Sequence, residues 1–360
     1  MKIVAAMSGG VDSCVAAYLL KQQGHDVIGV TIKTWPKEEC GAVGDKMCCS
    51  LDSIQYARSA AEDMGFPHYV IDLSEEFANE VKKYFVDEYR RGRTPNPCVN
   101  CNSKIKFGYL IDKALALGAE KVATGHYARI VRRGEDHFLA SARNAHNDQT
   151  YFLYDIPRDR LKLVEFPLGD LEKPEVREIA LSNGFMSARR KSSQDVCFAT
   201  GDKDYREYLK EGGLEIFVPG DILDMSGKVV GRHEGIVSYT IGQRKGLGVA
   251  TGKPQYVLKI DPVRNTVTIG NKEEAMKGGL VVAGVNWLLR ENERSGRRLE
   301  VMIRYNGERT PADIEAIDGD KVMVRLEKEQ FAPTPGQAAV FYDGDLVAGG
   351  GWIESVCDIK

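Results

Sequence analysis

The chain has 360 residues, 43% of them hydrophobic and 28% charged, with a formal net charge of −3 at pH 7. That composition is globular and excludes a disordered or fibrous chain, and the length suggests about two or three domains. The longest apolar stretch, around Leu280–Val285, is far too short for a bilayer span, and a near-neutral balance excludes a generally basic, nucleic-acid-coating protein.

Ile3–Met7 reads as a strand, Ser8-Gly9-Gly10-Val11-Asp12-Ser13 as a glycine turn, and Cys14–Leu20 as a helix. No secretory leader is read there, so the expected location is the cytoplasm, where the eight cysteines stay mostly reduced. Asp26–Lys33 is the second strand. Leu51, Ile54, Ala57, Ala61 and Met64 recur at helical spacing until Gly65-Phe66-Pro67, and His68–Leu73 is the third strand. Ser74 is expected to cap a helix with Glu75 and Glu76 in its first turn and Phe77, Val81, Tyr84 and Phe85 inside. Thr94–Ser103 reads as a proline- and asparagine-rich loop before a helix carrying Phe107, Leu110, Ile111 and Ala114; Lys121–Thr124 is the next strand. Repeated β-α-β units predict an α/β, Rossmann-like parallel sheet whose ligands sit at the carboxyl ends of its strands.

Residues 144–190 read as a mainly helical appendage, with Pro174 at a helix start and Gly184 past its end. After Gly212 short β runs take over, at Gly220–Val230, Gly235–Tyr239, Gln255–Ile260 and Thr266–Ile269. A second β set follows from Leu280 to Ile353, with Asp318-Gly319-Asp320 and Asp343-Gly344-Asp345 as turns. The predicted domains are 1–205, 206–278 and 279–360, the last two as small β-barrels or one elongated β region.

A glycine pair between strand and helix lets the backbone approach a phosphate, at which the helix points its unsatisfied N–H groups. The loop is neither Walker A nor G-x-G-x-x-G. Asp12 either orients Mg²⁺ or caps the helix. Cys98 and Cys101, near a helix start with Lys104 and Lys106 close in sequence, and Cys197 are candidate nucleophilic thiolates. The alternative for the C-x-x-C pair is half a zinc site, although no second half is found. Cys14 is expected in the core, and Cys40, Cys48, Cys49 and Cys357 receive no role. His126 ends a strand on the loop side of the sheet. Arg90-Arg91-Gly92-Arg93, Arg132-Arg133, Arg189-Arg190-Lys191 and the Arg294–Arg298 stretch are basic clusters suited to phosphates.

Several dispersed motifs occur together: Ser8–Ser13, Gly92-Arg93-Thr94-Pro95-Asn96-Pro97, Cys101-Asn102, Ile105-Lys106-Phe107, Ala123–Tyr127, Asp148–Leu153, Gly242–Gly248 and Thr334-Pro335-Gly336-Gln337. In this combination the chain resembles the tRNA-specific 2-thiouridylases of the MnmA type, within the PP-loop ATP pyrophosphatases. The resemblance implies a sulfurtransferase that replaces the C2 oxygen of the wobble uridine of tRNA with sulfur after ATP adenylates that oxygen. It implies ATP and Mg²⁺ as cofactors, with ATP contacts at Ala6, Met7, Ser8, Gly9, Gly10, Val11, Asp12, Ser13, Ile32 and Gly125. Base contacts are implied at Asn96, Pro97 and Cys98, and other tRNA contacts at His126, Asn147, Asp148, Gln149, Arg304, Tyr305 and Gln337. Cys197 would carry a persulfide and Cys101 would help release the sulfur, leaving a Cys101–Cys197 disulfide. The implied partners are tRNA and a sulfur donor, which is a cysteine desulfurase, a relay protein or sulfide, and no membrane is expected. Many family members have an aspartate where this chain has Cys98. Cys98, Cys101 and Cys197 also match the three-cysteine pattern of related thiolases that hold a [4Fe–4S] cluster. Two rival readings are another PP-loop adenylating ligase or amidotransferase, and a non-catalytic RNA-binding protein.

Overall fold

The computed structural model describes residues 1–35, 51–189, 196–198, 205–211, 217–249, 252–294 and 298–358. Cys40, Cys48, Cys49, Arg190, Lys191 and the centre of the Arg294–Arg298 stretch lie outside the described residues. The chain forms two compact units. The first comprises Met1–Lys82, Pro97–Asp202 and Asp345–Val347; the second comprises Lys83–Asn96, Lys203–Gly344 and Ala348–Lys360.

In the first unit, β1 (Lys2–Ala6), α1 (Val11–Gln22), β2 (Asp26–Lys33), α2 (Leu51–Asp63) and β3 (His68–Asp72) alternate as the sequence predicts. They are followed by α3 (Ser74–Phe77); α4 (Lys83–Arg90) belongs to the second unit, and the first resumes with α5 (Pro97–Asn100), α6 (Leu110–Ala116) and β4 (Lys121–Thr124). A hairpin of β5 (Arg129–Arg133) and β6 (Asp136–Ala140), then β7 (Val164–Glu165) and α7 (Lys173–Ser182), complete it. The sheet runs β3-β2-β1-β4-β7 with parallel pairing throughout. Its central strand is apolar on both faces because helices cover both; Ile3 and Val4 are fully buried, and each such side chain contributes roughly 1.5–3 kcal/mol. Ala6 lies beside Val30 on one side and Thr124 on the other, so the segments leaving β1 and β4 emerge together.

Several expectations need correction. Ser74 is not a cap but the first residue of α3; its N–H and hydroxyl both donate to Asp72 Oδ1. Thr94–Ser103 is not all loop. Pro97, with φ preset near helical values and no N–H to lose, starts a helical stretch that continues as a nine-residue π-helix, Cys101–Tyr109, into α6. The stretch expected as an appendage holds 3-10 turns, β7 and α7. Leu168, Val176, Ala180 and Phe185 there share one buried cluster with Ile3, Val15 and Ala61, so it is part of the core.

In the second unit, β8 (Gly220–Leu223), β9 (Val229–His233), β10 (Tyr256–Asp261) and β11 (Thr266–Gly270) form a sheet in the order β10-β11-β8-β9. Residues 236–238 form a 3-10 turn, not the strand expected over Gly235–Tyr239. Six further strands close on themselves: β12 (Met276–Trp287), β13 (Leu299–Met302), β14 (Thr310–Asp318), β15 (Lys321–Phe331), β16 (Ala338–Asp343) and β17 (Leu346–Cys357). Their order is β12-β15-β14-β13-β16-β17, and β17 pairs back onto β12. Closure leaves no open edge.

Candidate active site

The turn after β1 is held from within. Ser13 Oγ accepts from the Ser8 N–H at 3.1 Å and donates to the Gly10 carbonyl at 3.0 Å, with Ser8 Oγ 3.3 Å away. Gly9 has φ +70°, and a Cβ there would lie 2.1 Å from the Ser53 carbonyl oxygen, so only glycine fits. Gly10 is the N-cap of α1 and supplies no side-chain cap, which leaves the first N–H groups of a 12-residue helix for an anion.

Asp12 therefore does not cap α1. Its carboxylate accepts the Tyr127 hydroxyl at 2.9 Å, and Lys173 Nζ lies 2.6 Å from both of its oxygens. Lys173 opens α7, and sequence reasoning missed it because 161 residues separate it from Asp12. Burial and the adjacent Asp12 charge push the Tyr127 phenol far above its ordinary value, so it stays a protonated donor.

Gly125 closes the other side of the turn. A Cβ there would lie 2.7 Å from Asp12 C and from Ser13 N, so the end of β4 packs directly on the phosphate loop. The next residue, His126, is held by Thr124 Oγ1 at Nδ1 (2.7 Å) and by Lys106 Nζ at Nε2 (3.4 Å). Burial first, and then the Lys106 charge, hold its pKa well below 6.5, so it is neutral; the ammonium donates to Nε2, which leaves the proton on Nδ1 facing Thr124. Lys106 also donates to Asn102 Oδ1 at 2.9 Å, and buried Asn102 donates to the Phe152 carbonyl at 2.9 Å. A continuous set of contacts thus runs from the turn after β1 through Gly125, His126 and Lys106 to Asn102, the residue after Cys101. Asn102 and Lys106 are four residues apart on one face of this π-helical stretch, a rare geometry that clusters at functional sites.

Cys98 is the second residue of α5, Cys101 the first of the π-helix, and both are half-buried thiols. Cys197 is also a half-buried thiol, next to Phe198, whose ring packs edge-on against Phe77 at 5.8 Å. Cys14 is buried in α1, as expected. Ala6 ends β1, the Met7 N–H donates to the Val30 carbonyl at 2.8 Å, and Ile32 lies in β2. Asn147 starts the segment around Asp148, a buried carboxylate that accepts from Ala142 N–H and Thr150 Oγ1. Gln149 and Tyr127 exchange two bonds of 2.9 Å, which ties this segment to the Asp12 partner. Asn96, Arg304, Tyr305 and Gln337 belong to the second unit. Arg304 Nη2 donates to the Phe331 carbonyl and Tyr305 is exposed.

The sequence is 45% identical to the tRNA-specific 2-thiouridylase MnmA of Symbiobacterium thermophilum, over 98% of this chain and 92% of that protein. It is 45% identical to that of Moorella thermoacetica over 99% of this chain and 100% of that one. The chain belongs to the MnmA family. Three family models match it in succession: a tRNA methyl transferase HUP domain at residues 1–201, a tRNA methyl transferase PRC-barrel domain at 207–271 and an aminomethyltransferase beta-barrel domain at 277–353. Among solved structures, a 4-thiouridine synthetase–RNA complex with bound ATP aligns with a TM-score of 0.37 and 21% identity, over 58% of this chain and 50% of that one. The MnmA family is the one the dispersed motifs resemble, and its parallel-sheet domain followed by β domains is the architecture described above. No helix among the described residues is long and apolar enough to cross a membrane.

Proposed function

We propose that the chain is an ATP-dependent tRNA-uridine 2-sulfurtransferase acting on the wobble uridine. The observation that carries this reading is the contact path from the Ser8–Ser13 turn to Cys101. It supports the reading by linking the glycine turn to Asn102, the residue after Cys101. ATP occupies Ala6–Ser13 with Ile32 and Gly125 beside it. The uridine C2 oxygen attacks the α-phosphorus, and pyrophosphate leaves toward the α1 N–H groups. The terminal sulfur of a Cys197 persulfide then attacks C2, and AMP departs with the former C2 oxygen. The Cys101 thiolate attacks Cys197 Sγ, which releases the thiocarbonyl and forms a Cys101–Cys197 disulfide. A dithiol reductant returns two electrons, and a cysteine desulfurase or relay protein passes the outer sulfur of its own persulfide to the Cys197 thiolate. Sulfide instead reloads the site by attacking Cys197 Sγ of the Cys101–Cys197 disulfide, which forms the Cys197 persulfide and frees the Cys101 thiolate without a separate reductant.

Asn96, Pro97 and Cys98 are assigned to the target base, which must leave its stack to be reached. His126, Asn147, Asp148, Gln149, Arg304 and Tyr305 are assigned to the tRNA around it. Mg²⁺ would enter with the ATP phosphates, because the Asp12 oxygens are already engaged by Lys173 and Tyr127. The alternative sulfur carrier is a [4Fe–4S] cluster, for which Cys98, Cys101 and Cys197 would be the ligands. Among the described residues no three His, Cys, Asp or Glu side chains gather in a way that would hold a metal, and no step is routed through a cluster.

The test is ATP-dependent transfer of labelled sulfur into bulk tRNA from a persulfide donor or from sulfide. C101S and C197S should release pyrophosphate but yield no thiolated tRNA. Absence of label from the wild-type product with either source refutes the assignment.

A further inference from the structure

Two of the sequence motifs, Gly242–Gly248 and Thr334–Gln337, have no part in holding ATP or moving sulfur. Both lie in the second unit together with residues 83–96, which lead directly into the Asn96–Cys101 segment. The Thr94-Pro95-Asn96-Pro97 sequence is short of donors, because Pro95 and Pro97 have no N–H. The buried main-chain carbonyls of this segment must find partners elsewhere. They find them on the Thr334-Pro335-Gly336-Gln337 turn. The Gln337 side-chain amide donates to the Thr94 carbonyl at 3.0 Å and to the Pro95 carbonyl at 3.2 Å, and the Thr94 N–H donates to the Pro335 carbonyl at 2.9 Å. A carboxamide has two N–H donors on one nitrogen, which is what two successive carbonyls require.

The approach is close and built in. Gly336 has φ +92°, and a Cβ there would lie 2.8 Å from the Thr94 carbonyl oxygen. Arg93 is fixed by an ion pair with buried Glu88 at 2.8 Å and by a bond from Nη2 to the Ile353 carbonyl at 3.3 Å. Behind the turn, Ala332 is held at φ +50°, an unusual backbone conformation for a residue with a side chain. Gly242 packs against it, with room for no side chain, since a Cβ would lie 2.7 Å from Ala332 Cβ. The Gly242–Gly248 motif thus supports the Thr334–Gln337 turn, which in turn grips residues 93–95.

We infer that Gln337 is a positioning residue that clamps Thr94 and Pro95 and so fixes the segment presenting Asn96–Cys98 to the target base, in place of the direct tRNA contact that resemblance implies. The inference rests on the proposed tRNA thiolation for its functional consequence, but the clamp itself consists of hydrogen bonds within the chain.

The test uses Q337E, which keeps the shape of the side chain and removes both donors. Amide hydrogen exchange of the full-length, tRNA-free protein is read by mass spectrometry over residues 91–99. The expected result is about tenfold faster exchange there, with tRNA affinity within about twofold of wild type and a reduced turnover for sulfur transfer. Unchanged exchange with weakened tRNA binding would overturn the clamp and make Gln337 a direct RNA contact. Unchanged exchange with unchanged binding would overturn both roles. If Q337E does not fold, R93M removes the neighbouring anchor and is read in the same exchange window against the same expectation. Should the wild-type protein fail to thiolate any tRNA, the exchange result still decides the clamp, and only the proposed function falls.

Discussion

Replacing Lys173 by methionine keeps the length of the side chain and deletes its charge. Lys173 Nζ reaches both Asp12 oxygens at 2.6 Å, and the side chains are 19% and 29% exposed, so the pair is partly screened but not surface-like. Charge-assisted hydrogen bonds of this kind contribute about 1.5–3 kcal/mol, well above the roughly 0–1 kcal/mol of a solvent-exposed pair. The Asp12 carboxylate would keep the Tyr127 hydroxyl as a donor, so the loss falls toward the lower half of that range. Asp12 sits in the first turn of α1, one residue before Ser13, whose hydroxyl organises the phosphate loop. A loosened Asp12 should therefore weaken ATP use by roughly 10- to 30-fold in kcat/KM, the factor corresponding to about 1.5–2 kcal/mol. The assay is pyrophosphate release against ATP concentration with tRNA saturating, run on wild type, K173M, D12N and the double variant. The two single effects should fail to add, with a coupling of about 1.5 kcal/mol or more. K173R should recover part of the loss. Additive effects, or a K173M enzyme with wild-type kcat/KM for ATP, would refute the view that Lys173 organises this site.

Other consequences are equally direct. G125A should all but abolish pyrophosphate release while the parallel sheet survives, because its Cβ would press on the Asp12 and Ser13 backbone at 2.7 Å; normal ATP turnover would show that the loop can retreat at little cost. His126 has a folded-state pKa below its unfolded value of 6.5, so the unfolded chain binds its proton more readily. Its stabilising contribution is therefore present above about pH 6.5 and is lost as pH falls below that value. Urea unfolding at pH 7.5 and 5.5 should show a smaller pH difference for H126F than for wild type, and equal differences would refute the assignment of a half-buried, neutral imidazole. Y127F should cost about 1 kcal/mol of stability through the lost bond to Asp12 and should raise the ATP concentration needed for half-maximal pyrophosphate release. An unchanged urea midpoint and ATP dependence would show that this bond contributes nothing.

The readable parts of this chain were those decided by neighbours in sequence. The span of β2, Asp26–Lys33, is reproduced residue for residue, because a β-branched run between a glycine turn and a long connection leaves few alternatives. Gly9 and Gly125 are positions that the family resemblance implies for ATP, and at each a Cβ would collide with backbone. The start at Pro97 was misjudged because proline and asparagine signal a turn as readily as a first helical residue. The β5–β6 hairpin went unseen because Arg132-Arg133, at the end of β5, reads as a basic cluster. It is the adjoining strand, with Phe138, Leu139 and Ala140 buried, that supplies the apolar face.

Read alone, the chain was enough to locate the glycine turn at the end of β1, the alternation of strands and helices around it, and the three candidate cysteines. Those features depend on backbone preferences and apolar spacing over a few residues, which act before distant segments meet. Only the tertiary structure decided which groups complete the site. Lys173 reaches Asp12 across 161 residues, and Gln337 reaches Thr94 across 243. In each case the need was local, an acidic side chain in a helix's first turn and a proline-rich segment with unmet carbonyls. The group that meets it is chosen by the path of the whole chain, which no local rule of spacing encodes.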